Sequence, residues 1–196
     1  MTIAYTLGNS LYLNLTNECS CDCTFCLRNA SEGINPGESL WLEREPSLSE
    51  IIQALKAADF AKYEEVVFCG YGEPTMRLEV LIDCARFLKE QKSPPIRLNT
   101  NGLSDLVHGK KTAPLLEGLI DRVNISLNTT DAESYNSLCR PRFGLASFDA
   151  MLDFAKDCKS YIPVVVFSIV EASINEEALE KCRQICINLD IPLRLR

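Results

Sequence analysis

The chain has 196 residues, 46% hydrophobic and 24% charged, a globular balance that excludes a disordered tail and a membrane-embedded bundle. A chain of this length buries roughly 70% of the surface its unfolded form exposes, so its core needs no disulfide framework. Lysine and arginine number 20 against 27 acidic residues, a net charge of −7, which argues against sequence-independent nucleic-acid binding except through a local basic patch.

Six β-rich runs are expected, at residues 11–16, 66–70, 96–100, 122–128, 164–170 and 192–196, with helical periodicity between them. The first helix opens on a capping box, Ser47 and Glu50, before Ile51, Ile52, Leu55 and Ala58; later ones run over 81–88, 147–155 and 176–189. Such alternation predicts βα units around a parallel sheet, in one domain spanning 1–196. Three runs have one apolar and one polar face: Leu11, Leu13 and Leu15 against Tyr12, Asn14 and Thr16; Ile96, Leu98 and Thr100 against Arg97, Asn99 and Asn101; Val123, Ile125 and Leu127 against Asn124, Ser126 and Asn128. The apolar set is expected to face the helices. A closed barrel fills its lumen with branched apolar residues, so the polar set predicts an open, curved sheet with a wet or ligand-filled concave face, a flat doubly wound sheet being the alternative. In both, ligands sit at the carboxyl ends of the strands.

Ten cysteines are about 5% of the chain, below the density of disulfide scaffolds, and point to a reducing compartment. With no basic leader and no apolar run of roughly 18 residues, the expected location is cytoplasmic, with no membrane partner. Four of the thiols crowd the loop after the first run, in Cys19-Ser20-Cys21-Asp22-Cys23-Thr24-Phe25-Cys26. Thiolates hold zinc or iron–sulfur clusters, and four-cysteine zinc sites usually show two C-x-x-C pairs where this chain has one. A redox pair of Cys23 and Cys26 would leave Cys19 unexplained.

Cys19, Cys23 and Cys26, with Phe25 before the last, resemble the C-x3-C-x2-C signature of the radical S-adenosylmethionine (radical SAM) superfamily. The resemblance implies that these three cysteines hold a [4Fe-4S] cluster, with Cys21 unligated, and that the open iron takes the amino and carboxylate groups of S-adenosylmethionine. A reduced cluster then cleaves the sulfonium to a 5′-deoxyadenosyl radical that abstracts hydrogen from a substrate. Cys69-Gly70-Tyr71-Gly72-Glu73-Pro74 resembles the family's Gly-Gly-Glu-Pro loop, with Tyr71 for the first glycine. It implies that Gly72, Glu73 and Pro74 receive the methionine ammonium. Leu98-Asn99-Thr100-Asn101-Gly102 is similar to the ribose-contacting segment of glycyl-radical-enzyme activases, which assigns Asn99 to the ribose, and Ser126 and Asn128 match positions that contact nucleoside and carboxylate there. Asn101-Gly102 by itself reads as a turn.

With Leu40 to Pro46 and Cys139-Arg140-Pro141-Arg142-Phe143-Gly144, the whole chain resembles the small radical SAM proteins associated with the TatD nuclease group, whose relatives share a (β/α)6 partial TIM barrel of six parallel strands. The function implied is a radical SAM enzyme needing a reductant such as flavodoxin or ferredoxin. A small-molecule enzyme of the carboxydeazaguanine synthase type and a non-catalytic electron-transfer module are the alternatives. The substrate is expected to be large, a protein or RNA segment that closes the open side near Tyr12, Arg97 and the Arg140 to Arg142 turn, unless the segment from Arg28 to Glu45 or a second copy closes it. His108 is expected in solvent, Cys84, Cys158, Cys182 and Cys186 in the core, and Cys69 and Cys139 beside the site.

Overall fold

A computed structural model describes residues 1–29 and 39–196. Its sheet has seven strands in sequence order, β1 (Ala4–Leu7), β2 (Ser10–Leu13), β3 (Glu65–Phe68), β4 (Ile96–Thr100), β5 (Arg122–Ser126), β6 (Val164–Ile169) and β7 (Leu193–Leu195). From β2 to β7 all neighbours are parallel, which gives the six parallel strands of the expected partial barrel. β1 is an addition: it pairs antiparallel with β2, Ala4 opposite Leu13, after a turn in which Gly8 takes φ +58°. Four residues are too few for a two-residue period to stand out, so pairing, not pattern, defines this strand.

The two faces separate as the alternation requires. Leu11, Leu13, Leu15, Val66, Phe68, Ile96, Leu98, Val123, Ile125 and Leu127 are all buried in one core. The helical layer adds Ile51 and Leu55 from α1 (Leu48–Ala58), Leu81 and Leu88 from α2 (Leu78–Glu90), and Met151 and Phe154 from α5 (Ala146–Tyr161). Burying each such side chain contributes roughly 1.5 to 3 kcal/mol before entropy is charged against it. Helix α1 starts where expected, for the Ser47 side chain accepts from the Glu50 N–H and the Glu50 carboxylate accepts from the Ser47 N–H at 2.9 Å. Cys84, Cys158, Cys182 and Cys186 lie in this core, the last two on α6 (Glu176–Leu189).

On the concave side β1 and β2 carry a separate small cluster of Tyr5, Leu40 and Tyr71, with Tyr12 packed against it. The segment from Ser39 to Glu45 is strapped there by polar side chains. Asn14 Nδ2 donates to the Leu40 carbonyl at 2.6 Å, and Asn17 exchanges two hydrogen bonds with the Leu42 backbone. Part of the segment that is the alternative to a large partner for closing the open side thus lies along β2, while residues 30–38 of it fall outside the described residues. His108, at the end of α3 (Ser104–His108), corrects the expectation of full exposure: it is half-buried, and its Nε2 lies 2.7 Å from the Thr75 carbonyl. Among the described residues no helix is long and apolar enough to cross a membrane.

Candidate functional site

The cysteine loop is built by backbone hydrogen bonds on two sides. Gly72 N and Glu73 N donate to the Thr16 and Glu18 carbonyls at 3.0 and 2.8 Å, tying the loop after β3 to the start of the cysteine loop. On the other side Asp22 N and Thr24 N donate to the Cys139 and Leu138 carbonyls at the end of α4 (Ala132–Cys139), and Arg142 N donates to Ser20 O at 2.9 Å. Gly72 is required by close approach: a Cβ there would stand 2.6 Å from the Glu18 carbonyl oxygen and closer still to that of Thr16. Inside the loop Arg28 reaches back to the Asn17 and Cys21 carbonyls at 3.3 and 3.4 Å.

These ties bring Cys19, Cys23, Phe25 and Cys26 to one wall of a cavity of about 220 Å³ at the carboxyl ends of the strands. Cys21, Cys69 and Cys139 line it too, as do Ser126 and Asn128. All ten cysteines are free thiols. The Cys23 thiol is pulled down to about 4, chiefly by a hydrogen bond with Cys139 and then one with Cys21, and Cys19 is lowered chiefly by Cys21. Cys21 and Cys139 are pushed far up by the same bonds, to Cys19 and to Cys23 respectively, so they stay protonated and act as donors. A set of ionised thiols fed by neutral ones suits soft metal ligation.

The remaining expected contacts divide. Asn128 sits just past β5 with φ +61°, a left-handed conformation that asparagine tolerates. Its Nδ2 lies 3.6 Å from Cys139 Sγ, while its Oδ1 is buried with no partner among the described residues. Ser126 Oγ receives Arg196 Nη2 at 2.9 Å. Gly72, Glu73, Pro74 and Asn99 are not on the cavity wall; Gly70, Tyr71 and Asn101 are. Asn99 Oδ1 accepts from Arg97 at 2.9 Å, one step deeper along β4. Glu73 is buried, its Oε1 accepting from Thr75 N, Thr75 Oγ1 and Thr100 Oγ1 at 2.8–3.1 Å and its Oε2 from Asn101 N at 2.7 Å. Burial pushes this carboxyl up against those four donors. Its lone pairs serve the loop itself, joining the ends of β3 and β4.

Sequence reasoning undervalued three residues. Asn101, read as a turn former, donates through Nδ2 to Ser20 Oγ at 2.9 Å and lies 3.6 to 3.7 Å from the Cys21 and Cys19 sulfurs. Tyr135 is a buried wall residue, and Arg28 braces the loop. Only the position of Asn101 at a strand's carboxyl end could have signalled it; the other two are brought in by packing.

The sequence matches the Radical SAM superfamily over residues 13–185. Among curated proteins it is similar to GTP 3′,8-cyclase of Corynebacterium glutamicum, 34% identical over 96% of this chain and 48% of that protein. It is also similar to the probable GTP 3′,8-cyclase of Pyrococcus horikoshii, 31% identical over 87% and 49%. The chain spans about half the length of these relatives. Among solved structures, SuiB of Streptococcus suis bound to precursor peptide SuiA superposes with a TM-score of 0.71 at 19% identity, over 98% of this chain and 40% of that one. Methylornithine synthase gives 0.63 at 18% identity, over 97% and 54%. These two likenesses concern the fold.

Proposed function

This chain belongs to the radical S-adenosylmethionine superfamily, enzymes whose cofactors are a [4Fe-4S] cluster and S-adenosylmethionine, and from that premise we propose that residues 1–196 form one core domain that cleaves S-adenosylmethionine reductively and removes hydrogen from a substrate on the concave face. The observation that carries this reading is the convergence of Cys19, Cys23 and Cys26 with Asn128 on one cavity. The donor set fits the groups: three free thiols with two of them favoured as thiolates, and a buried Asn128 Oδ1 that lacks a donor. When bound, the cluster supplies a low-potential electron and S-adenosylmethionine the bond it breaks.

The rest falls to the chain's own side chains. Cys19, Cys23 and Cys26 hold the irons, while Cys21, Cys139 and the Asn101 amide donate toward their sulfurs. Glu73 is a positioning residue that ties the loop after β3 to the end of β4 and so keeps the Gly70 and Tyr71 backbone at the wall, where carbonyl oxygens receive an ammonium. Ser126 and Asn128 offer hydroxyl and amide to ribose or carboxylate. Phe25 and Tyr135 exclude water from the wall.

For the substrate we infer a molecule small enough to lie on the concave face, a reading supported by the names of the curated relatives and by the strap of Ser39 to Glu45 along β2. A protein or RNA segment is the second reading, favoured by the exposed Arg140 and Arg142 beside the cysteine loop; Arg97, buried and bonded to Tyr12, belongs to the interior. The electron is supplied by a flavodoxin or ferredoxin. Anaerobic reconstitution tests the reading: about four irons per chain and release of 5′-deoxyadenosine are expected, both lost when Cys19, Cys23 and Cys26 become alanine. About eight irons, or loading that survives the triple change, overturns it.

A further inference from the structure

Charge on the concave face runs opposite to that of the whole chain. The seven strands contain one acidic residue, Glu65, and three arginines, Arg97, Arg122 and Arg194, with Arg196 following directly. All five side chains belong to the polar face. Arg97 is opposite Arg122 in the β4–β5 register, Arg122 Nε donates to Asn124 Oδ1 at 3.1 Å, Arg194 is opposite the buried Ser168, and Arg196 bonds Ser126. Like charges directly opposite on neighbouring strands destabilise a sheet unless an anion lies between them.

Glu65 answers one of these charges. Its carboxylate takes two bonds from Arg97, at 3.0 and 2.6 Å, and Arg97 is completed by Asn99 and Tyr12. Counting side chains, four guanidinium groups less one carboxylate leaves an excess of three positive charges, carried by Arg122, Arg194 and Arg196. Among the described residues none of these three has a carboxylate within salt-bridge distance. In a chain of net charge −7 such a local excess, walled by a curved sheet, focuses a field that collects anions.

We infer that this face is an anion-recognition surface and that the substrate is a phosphorylated small molecule whose phosphate groups lie against Arg122 and Arg194, with its reacting carbon toward the cysteine cavity. Arg196, on the cavity wall and bonded to Ser126, is the joint between the two regions. Planar guanidinium groups match phosphate oxygens bidentately, and an excess of three suits a polyphosphate better than one carboxylate. The inference rests on the proposed function above and names the substrate class for that site; the relatives' names assign no such residues.

The test uses the anaerobically reconstituted full chain and reads two affinities on the same samples by calorimetry: S-adenosylmethionine, and inorganic tripolyphosphate with citrate as the carboxylate comparator. Tripolyphosphate should bind, more weakly as salt rises, and should lose about tenfold in affinity in Arg122→Ala and again in Arg194→Ala. Arg183→Ala, an exposed α6 arginine paired with Glu180, should change nothing. Because Arg194 is itself exposed, its replacement does not disturb the core. Absent tripolyphosphate binding, binding indifferent to both variants, or citrate bound as tightly overturns the inference while S-adenosylmethionine still binds. Loss of S-adenosylmethionine binding in the unaltered chain strikes the proposed function instead.

Discussion

Asn99 and Asn128 lie on the same polar face, but Asn99 is level with Asn124, four residues short of Asn128, and depth along the sheet separates their surroundings. Asn128 has turned to φ +61° on the cavity wall with an unanswered Oδ1, whereas Asn99 is engaged by Arg97 outside it. The expected outcome is therefore unequal: Asn128→Ala should weaken S-adenosylmethionine binding about tenfold, the worth of one desolvated hydrogen bond, and Asn99→Ala much less, as titration calorimetry would show. Glu65 gives a pH dependence. Burial works against its ionised form, but Arg97, Ser10 and Arg122 together hold its carboxyl below the usual value. A depressed carboxyl stabilises the fold above its unfolded value of about 4.3, and that stability is lost as pH falls through the folded value. Urea midpoints of the natural chain and of Glu65→Gln should accordingly differ most above about pH 5 and converge below about pH 4.

Two glycine- and cap-dependent elements show how local and tertiary causes part. At the start of α1 the capping box is a matter of neighbours in sequence, and Ser47→Ala should cost about 1 kcal/mol of unfolding free energy with iron loading unchanged. In the loop after β3, Gly72 is fixed by residues some fifty positions earlier, the Thr16 and Glu18 carbonyls. Gly72→Ala should push the cysteine loop away and lower iron per chain even where the helix content by circular dichroism is intact. The same logic explains Asn101: Asn-Gly reads as a turn in isolation, and only the closing of β4 against the cysteine loop sets its amide beside Ser20 and two sulfurs.

At the scale of the molecule the cysteine loop is a keystone between the β3 loop and the end of α4, held there by backbone hydrogen bonds to both. Ligands that bind the folded arrangement and not the unfolded chain stabilise it by mass action. The cluster-loaded protein should therefore melt several degrees above the same protein stripped by an anaerobic chelator, a shift that scanning calorimetry would read and that the triple cysteine-to-alanine variant should lack.

The sequence alone determined whatever depends on period and spacing: the six parallel strands, the division of Leu11, Leu98 and Ile125 from Tyr12, Asn99 and Asn124, the helix cap at Ser47, and the C-x3-C-x2-C loop that led to the family. These are read within a few residues, where side-chain direction alternates by fixed geometry. Tertiary structure decided the rest. β1 exists because β2 pairs with it; Glu73 is spent on the chain itself because β4 ends beside it; Arg97 is interior because Glu65 and Tyr12 converge on it; and three arginines from distant strands share one face because parallel register aligns them. Each depends on contacts between residues far apart in the chain, whose partners no local pattern specifies.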